Sequence, residues 1–330
     1  MTGSTMTSPL LKTPVSGATA TVRVPGTSAN LGPGFDSLGL AVSLYDTLSI
    51  TVLDAPGLEF ELSGEGVADL PRDASHLVVK TMDTAWARLG YTRVGLRVTA
   101  ENVLPHGRGL GSSASAIVAA IMAANALVAV ADRQDKAWVL QLASELEGHP
   151  DNVAPAIFGA VAVSWDESET GDGARYASAK VTPSSLVVPV VAIPDVELKT
   201  ERARGMLPAT VPHADAAANS GRSALLMHAL INDPSLLLAG TRDYLHQDYR
   251  AEAMPGSAGL VSALRAEGFA AFISGAGPTV MVLANGDAQA DEILSRIPEL
   301  GETAEHGVSW RVLRLQVDLE GAKVEMQTGS

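Results

Sequence analysis

The order of apolar and polar residues along this chain of 330 residues predicts both strands and helices. Residues 94–99 alternate as a half-buried strand does, whereas residues 75–89 carry apolar side chains at helical spacing. Residues 186–193 form a continuous run rich in β-branched side chains, which is typical of a strand buried on both faces. A final strand is predicted over residues 310–319. Because strands and helices do not alternate regularly, the pattern favours an α+β fold.

The chain is predicted to form two domains after a short tail. Residues 1–18 are rich in small polar side chains and lack the basic start and apolar core of a signal peptide, so we interpret them as a flexible tail. Residues 19–180 are assigned to an N-terminal domain and residues 181–330 to a C-terminal one. The longest apolar run, residues 116–131, is shorter than the roughly 20 residues of a membrane span, so we expect a buried helix and a cytoplasmic protein.

Composition narrows the possible chemistry. The chain has no cysteine, which excludes disulfides, thiolate metal sites and a cysteine nucleophile. Its formal net charge of −14 argues against nucleic acid or an anionic membrane as the main partner. Any polyanionic substrate must therefore be bound by local dipoles, a metal and a few cationic side chains.

A glycine-rich loop between a predicted strand and a predicted helix is the most informative motif. Glycine lets the backbone approach a polyanion, and the following helix N-terminus offers free N–H groups to a phosphate. The two serines after the last glycine can cap the helix, and one hydroxyl can reach a metal. The predicted phosphate-binding residues are Pro105, His106, Gly107, Arg108, Gly109, Leu110, Gly111, Ser112, Ser113, Ala114 and Ser115.

Residues 109–114, Gly-Leu-Gly-Ser-Ser-Ala, resemble the phosphate loop of the GHMP kinases. Within that family, residues 24–36, 148–156, 198–204, 247–250 and 274–279 are similar, in the same order, to motifs of the members that phosphorylate L-homoserine. The resemblance implies an N-terminal domain like ribosomal protein S5 domain 2 and a C-terminal ferredoxin-like domain. ATP and L-homoserine would lie between the two domains, and the resemblance also suggests a homodimer.

The resemblance places Mg²⁺ on Ser113 and Glu145, with Glu147 as the competing carboxylate. A hard cation of this kind needs few carboxylates and keeps several waters. Whether Ser112 or Ser113 touches the metal stays open at this point.

A homoserine zwitterion needs cations for its carboxylate and an anion for its ammonium group. The fork of an arginine can bind both oxygens of a carboxylate. Arg204 and Arg250 match the carboxylate-binding arginines of the family, and Asp36 matches the partner of the ammonium group. Further substrate contacts are expected from Asn30, His149, Thr200, Gly275 and Gly277.

Asn152 stands where mevalonate and galactose kinases carry an aspartate that can act as a base. An amide cannot accept a proton at neutral pH. We therefore expect catalysis by positioning and charge, with Asn152, Glu145 and Ser113 as catalytic residues and direct attack by the substrate hydroxyl. Asp151 is the alternative base, and another GHMP kinase or a non-catalytic nucleotide-binding regulator are the alternative functions.

Overall fold

The computed structural model describes residues 11–168, 173–198, 200–303 and 308–327. The strands are β1 (Thr19–Ala29), β2 (Leu38–Leu53), β3 (Leu58–Gly64), β4 (Gly95–Asn102), β5 (Val161–Asp166), β6 (Tyr176–Val181), β7 (Val187–Pro194), β8 (Ala270–Ile273), β9 (Val280–Asn285), β10 (Trp310–Arg314) and β11 (Lys323–Gln327). The α-helices are α1 (Leu77–Leu89), α2 (Ser112–Ala126), α3 (Lys136–Glu147), α4 (Val153–Phe158), α5 (Thr200–Gly205), α6 (His213–Ile231), α7 (Leu237–Gly240), α8 (Gln247–Arg250), α9 (Pro255–Ala266) and α10 (Asp287–Thr303).

The strands form two sheets. In the first sheet the order is β11-β1-β2-β4-β3, β5 pairs with the other end of β2, and β6 pairs with β5. Only the β3–β4 pair is parallel among these strands. The second sheet is antiparallel with the order β10-β7-β9-β8, which is 4-1-3-2 in chain order and is the ferredoxin-like arrangement. The predicted α+β class with two domains is confirmed.

The chain passes from one sheet to the other between β6 and β7, close to the predicted boundary at residue 180. The expected extent of the second domain, 181–330, needs a correction at its end. The predicted strand 310–319 stops at Arg314, because Gln316 then exchanges hydrogen bonds with Ser43 of β2. The following strand, β11, pairs with β1 and so belongs to the first sheet.

The expected flexible tail also needs a correction over residues 11–18. The Lys12 amide donates to the carbonyl of Gly90 at 3.0 Å, and its ammonium group contacts Asp132 at 2.7 Å. The Gly17 amide donates to the carbonyl of Val52 at 2.9 Å. These bonds attach the segment to the first domain, whereas residues 1–10 lie outside the described residues.

Helix α2 is buried against α1, α3 and the first sheet, as its apolar sequence predicts. Its alanines, among them Ala119, Ala120 and Ala123, let neighbouring backbone come close. Trp86 of α1 is fully buried, and its indole N–H donates to the carbonyl of Ala124 at 3.0 Å. Among the residues that the structure describes, no helix is long and apolar enough to cross a membrane.

Each domain has an apolar core of its own, and a further apolar cluster joins the two domains. Leu31, Leu104 and Leu110 of the first domain are fully buried against side chains of the second, including Phe272 and Met281. Burying each such side chain contributes about 1.5–3 kcal/mol relative to exposure. The base of the cleft between the domains is therefore continuously packed.

Candidate active site

The glycine-rich loop connects β4 to α2 at the mouth of the interdomain cleft. Gly107, Gly109 and Gly111 all have positive φ angles, of 62°, 78° and 72°. Gly111 is the N-cap of α2, and no side chain caps the helix. The first amides of this 15-residue helix therefore remain for an anion in the cleft.

Two of these glycines have no room for a side chain. A Cβ at Gly109 would lie 2.3 Å from the carbonyl oxygen of Ser274, and one at Gly111 would lie 2.1 Å from Thr27 Oγ1. Ser274 Oγ donates to the carbonyl of Gly109 at 2.6 Å, and the Thr279 amide donates to that of Arg108 at 3.1 Å. Residues 274–279 of the second domain thus fix the loop from across the domain boundary.

Only some of the predicted phosphate-binding residues line the cleft in which we expect the polyanion to bind. Gly107, Gly109, Gly111, Ser112 and Ser113 line the cleft. His106 and Ser115 line a neighbouring apolar pocket instead.

The side chains of the other four predicted loop residues do not line the cleft and instead have structural roles. Leu110 and Ala114 lie in the apolar cores and Pro105 is buried. The Arg108 guanidinium donates to the carbonyls of Pro194 and Asp195, both at 2.9 Å, so it ties the loop to the end of β7.

Glu147, rather than Glu145, faces the loop. Ser113 Oγ donates to Glu147 Oε2 at 2.9 Å, and both residues line the cleft. Glu145 does not line it and forms an ion pair with Arg88 at 2.8 Å. Residues two apart on a helix point in nearly opposite directions, so α3 can present only one of the two carboxylates to the loop. Of the two carboxylates expected at the metal, only Glu147 lies beside Ser113 and the loop.

Burial raises the pKa of Glu147, although the hydrogen bond from Ser113 opposes the shift. Glu147 is half-buried, and a carboxylate whose charge is incompletely balanced is a favourable place for a cation.

Asn152 lies beside the loop, and Asp151 is already hydrogen-bonded. Thr27 Oγ1 donates to Asn152 Oδ1 at 2.9 Å, which orients the amide. Asp151 is 2% exposed, and its carboxylate lies 2.5 Å from His149 Nδ1. Burial opposes the charge on His149, but the hydrogen bond and charge of Asp151 outweigh it and raise the pKa of His149.

At the other end of the cleft, Asp36 and Arg204 form a bidentate ion pair with N–O distances of 2.8 and 3.2 Å. Asn30 Oδ1 accepts the Asp36 amide at 2.9 Å, while its Nδ2 donates to the carbonyl of Gly275 at 2.9 Å. Asn30 and Asp36 have positive φ angles of 69° and 53°, which short polar side chains tolerate best. Thr200 begins α5 and also lines the cleft.

Arg250 reaches the cleft from the second domain although it is 2% exposed. Its Nε donates to the carbonyl of Ala203 at 3.2 Å, and its guanidinium lies 5.4 Å from the centre of the Phe35 ring. Burial, followed by the charge of Arg204, lowers the pKa of Arg250, which stays a cation. Gly275 lines the cleft, but the predicted contact Gly277 does not, because Gly277 packs against Met254.

A second, largely apolar pocket adjoins the cleft and shares Gly107, Ser112 and Ser113 with it. It lies between α1, α2 and the first sheet, and its walls include Leu62, Leu70, His76, Leu77, Val78 and Ala119. We call it the apolar pocket.

Comparison with known proteins shows the family of this chain. The family models described as "GHMP kinases N terminal domain" and "GHMP kinases C terminal" match residues 76–160 and 225–303. A homoserine kinase of Streptomyces coelicolor is 50% identical over 308 residues, which cover 93% of this chain and 94% of the relative. A homoserine kinase of Streptomyces avermitilis is 49% identical over 308 residues, covering 93% and 96%. The chain belongs to the homoserine kinases of the GHMP kinase family.

The fold of this GHMP kinase matches a crystal structure as well. Homoserine kinase from Cytophaga hutchinsonii superposes with a TM-score of 0.81 at 27% identity, covering 93% of this chain and 97% of that one. The chain is accordingly an ATP-dependent kinase, a transferase.

The motifs of this GHMP kinase did not reveal three features of its site. Thr27 and Phe35 lie inside the quoted motif 24–36, yet no separate role was expected for them. His246 lies four residues before Arg250, about one helical turn away. This spacing is the one sequence feature that indicates a contact between the two side chains.

Proposed function

We propose that this chain transfers the γ-phosphoryl group of ATP to the side-chain hydroxyl of L-homoserine, on the route to threonine. The products are ADP and O-phospho-L-homoserine. The observation that carries the proposal is the placement of Arg204, Arg250 and Asp36 in the same cleft as the phosphate-binding loop. Opposite charges at one end of the cleft suit a zwitterion, and free helix amides at the other end suit a phosphate.

The ion pair between Asp36 and Arg204 supports this choice of substrate. Both side chains are more than a third exposed, at 37% and 40%, so an entering ligand can reach them. A homoserine molecule brings an ammonium group for Asp36 and a carboxylate for the two arginines. When homoserine separates Asp36 from Arg204, each of these side chains gains a substrate group of opposite charge. A ligand that lacks one of the two charges leaves one side chain without a partner.

We assign the nucleoside of ATP to the apolar pocket and its phosphates to the amides that begin α2. The two sites share Gly107 and the serine pair, so one extended molecule can occupy both. Asp46 also lines this pocket, and its carboxylate accepts the amides of Val103 and Leu104 at 2.7 and 2.9 Å.

The residues present fit a magnesium ion. Ser113 Oγ and Glu147 Oε2 are hard oxygen ligands 2.9 Å apart, and burial raises the pKa of the carboxylate, which a cation would reverse. When bound, Mg²⁺ offsets the negative charge of the β- and γ-phosphates.

The carboxylates that line the cleft support attack without a dedicated base. Asp36 pairs with Arg204, Glu147 accepts from Ser113, and Asp151 is bonded to His149. Asn152, with its Oδ1 accepting from Thr27, presents its amide N–H groups, which orient but do not remove a proton. The hydroxyl proton then passes to a phosphate oxygen as the new P–O bond forms and the bond to ADP breaks.

A coupled assay of ADP release tests the proposal directly. Homoserine should be turned over with Mg²⁺ present, while serine, mevalonate and galactose should give little or no activity. Equal or faster turnover of mevalonate or galactose would assign the chain to another GHMP kinase activity, and absence of turnover with all four would favour a nucleotide-binding regulator.

A variant pair tests the substrate end of the site. Losing a charge-assisted bond costs about 1.5–3 kcal/mol, so Arg204→Ala should raise KM for homoserine roughly 10- to 150-fold and leave KM for ATP nearly unchanged. Arg202→Ala is the control, because Arg202 lies in the same helix but does not line the cleft. Equal damage to both KM values in Arg204→Ala would contradict the assignment.

The homodimer and the cytoplasmic location stay predictions. Light scattering on the purified chain measures the first, and cell fractionation measures the second.

A further inference from the structure

We propose that His246 is a positioning residue that holds the Arg250 guanidinium in the orientation that binds the substrate carboxylate. The inference rests on the proposed function, which assigns Arg250 to that carboxylate. His246 itself does not line the cleft and is 1% exposed, so it acts only through the arginine.

The contacts of His246 determine which ring nitrogen carries the proton. His246 Nε2 lies 2.7 Å from the carbonyl oxygen of Gly32, and a carbonyl can only accept, so Nε2 is the protonated nitrogen. Burial lowers the pKa of His246, and the charge of Asp243 opposes the shift only in part. An arginine can only donate, so Nδ1, which lies beside the Arg250 guanidinium, is the acceptor and the ring is neutral.

Arg250 Nη1 lies 3.3 Å from this Nδ1 and donates to it. Arg250 Nε donates to the carbonyl of Ala203 at 3.2 Å. Among the described residues, Nη2 of Arg250 has no hydrogen-bond partner, so the fork presents that nitrogen to the cleft. The side chain has several rotatable bonds, and two fixed donors remove most of that freedom before substrate binds.

Phe35 packs against both partners. Its ring stacks on His246 with centroids 5.1 Å apart and an interplanar angle of 28°, and the Arg250 guanidinium lies over it at 5.4 Å. His246 is itself fixed by the segment before α8, where the Asp243 carboxylate accepts the amides of His246 at 2.9 Å and Gln247 at 2.8 Å.

The same imidazole also connects the two ends of the homoserine site. Gly32 belongs to the loop that carries Asn30 and Asp36, the ammonium side, whereas Arg250 belongs to the carboxylate side. His246 contacts Gly32 and Arg250 through its two ring nitrogens, so the ring rests on the first domain while it orients an arginine of the second.

Two substitutions of His246 each remove one of its two hydrogen bonds and keep the other. His246→Asn keeps an amide oxygen near the position of Nδ1, so the acceptor for Arg250 remains. His246→Gln keeps an amide nitrogen near the position of Nε2, so the bond to Gly32 remains but the acceptor for Arg250 is lost. We expect KM for homoserine to rise about tenfold in the Gln variant and less than about threefold in the Asn variant, with KM for ATP unchanged in both.

Truncated substrates show whether the loss lies on the carboxylate side. 4-Hydroxybutanoate lacks the ammonium group and 3-aminopropan-1-ol lacks the carboxylate. His246→Gln should lower kcat/KM for homoserine and for 4-hydroxybutanoate, and leave 3-aminopropan-1-ol unaffected. A uniform loss with all three substrates, or equal effects of Asn and Gln, would overturn the positioning role while wild-type turnover of homoserine kept the proposed function intact.

A measurement on the wild-type protein is independent of how the variants fold. ¹⁵N chemical shifts of the His246 ring should show a protonated Nε2 and an unprotonated Nδ1 at neutral pH. The opposite tautomer, or a doubly protonated ring, would refute the inference.

Discussion

Ser113 Oγ donates a 2.9 Å hydrogen bond to Glu147 Oε2 and so joins the first turn of α2 to the last turn of α3 at the mouth of the cleft. The bond connects the glycine-rich loop with a half-buried carboxylate, and its partial burial raises the pKa of Glu147. Glu145, only two residues earlier, is paired with Arg88 away from the loop.

Substituting the two glutamates separately tests which one serves the metal. Glu147→Gln should lower kcat by roughly 10²-fold, because metal and preorganised charge supply most of the stabilisation in phosphoryl transfer. Glu145→Gln should leave kcat nearly unchanged, since its surface ion pair contributes little. Steady-state kinetics with a Mg²⁺ titration measures both, and the reverse order of effects would return the metal to Glu145.

Asn152→Asp should slow the enzyme even though it introduces a carboxylate. The new charge would lie near the γ-phosphate, where repulsion at about 4–5 Å and an effective dielectric constant near 20 costs a few kcal/mol. The substitution also removes the amide donors, while the bond from Thr27 can persist. A fall in kcat of about 10²- to 10³-fold at saturating substrates is expected from that cost. Faster turnover would show that the site accommodates base catalysis.

The close contact at Gly109 predicts a large stability difference between two alanine variants. Gly109→Ala forces a Cβ to within 2.3 Å of the Ser274 carbonyl, whereas the nearest atom to a Cβ at Gly107 is 3.8 Å away. Gly107→Ala should cost about 1–2 kcal/mol for its left-handed backbone alone. Gly109→Ala should cost roughly 3 kcal/mol or more, because it also pushes the domains apart. Chemical denaturation measures both, and equal losses would contradict the packing argument.

The His149–Asp151 pair predicts a pH-dependent contribution to stability. The pKa of folded His149 is raised, so the protonated form is stabilised by folding. That contribution is fully present below the unfolded pKa of about 6.5 and is lost as the pH rises through the folded value. The stability difference between wild type and His149→Gln should therefore be larger at pH 5.5 than at pH 9, measured by denaturation. In an Asp151→Asn background the pH dependence should reverse, because the burial that lowers the pKa of His149 then acts without the partner that outweighs it. With Asp151 present, a stability difference that grows toward alkaline pH would be inconsistent with the pair.

Short runs of consecutive residues were enough to predict the family and the position of the phosphate loop. A glycine-rich turn followed by two serines and an apolar run has a strong local preference for a strand–loop–helix unit. The mixed fold class followed from apolar periodicity in the same way. These features are local, since each depends on residues a few positions apart.

Which side chains meet in the cleft was decided only by the tertiary structure. Glu145 and Glu147 are equivalent in the sequence, but the rotation of α3 turns one toward Ser113 and the other toward Arg88. His246 meets Gly32 across 214 positions, and β11 returns to β1 from the far end of the chain. Such contacts depend on how whole elements pack, because burying their apolar faces fixes the rotation and register that bring distant polar groups together.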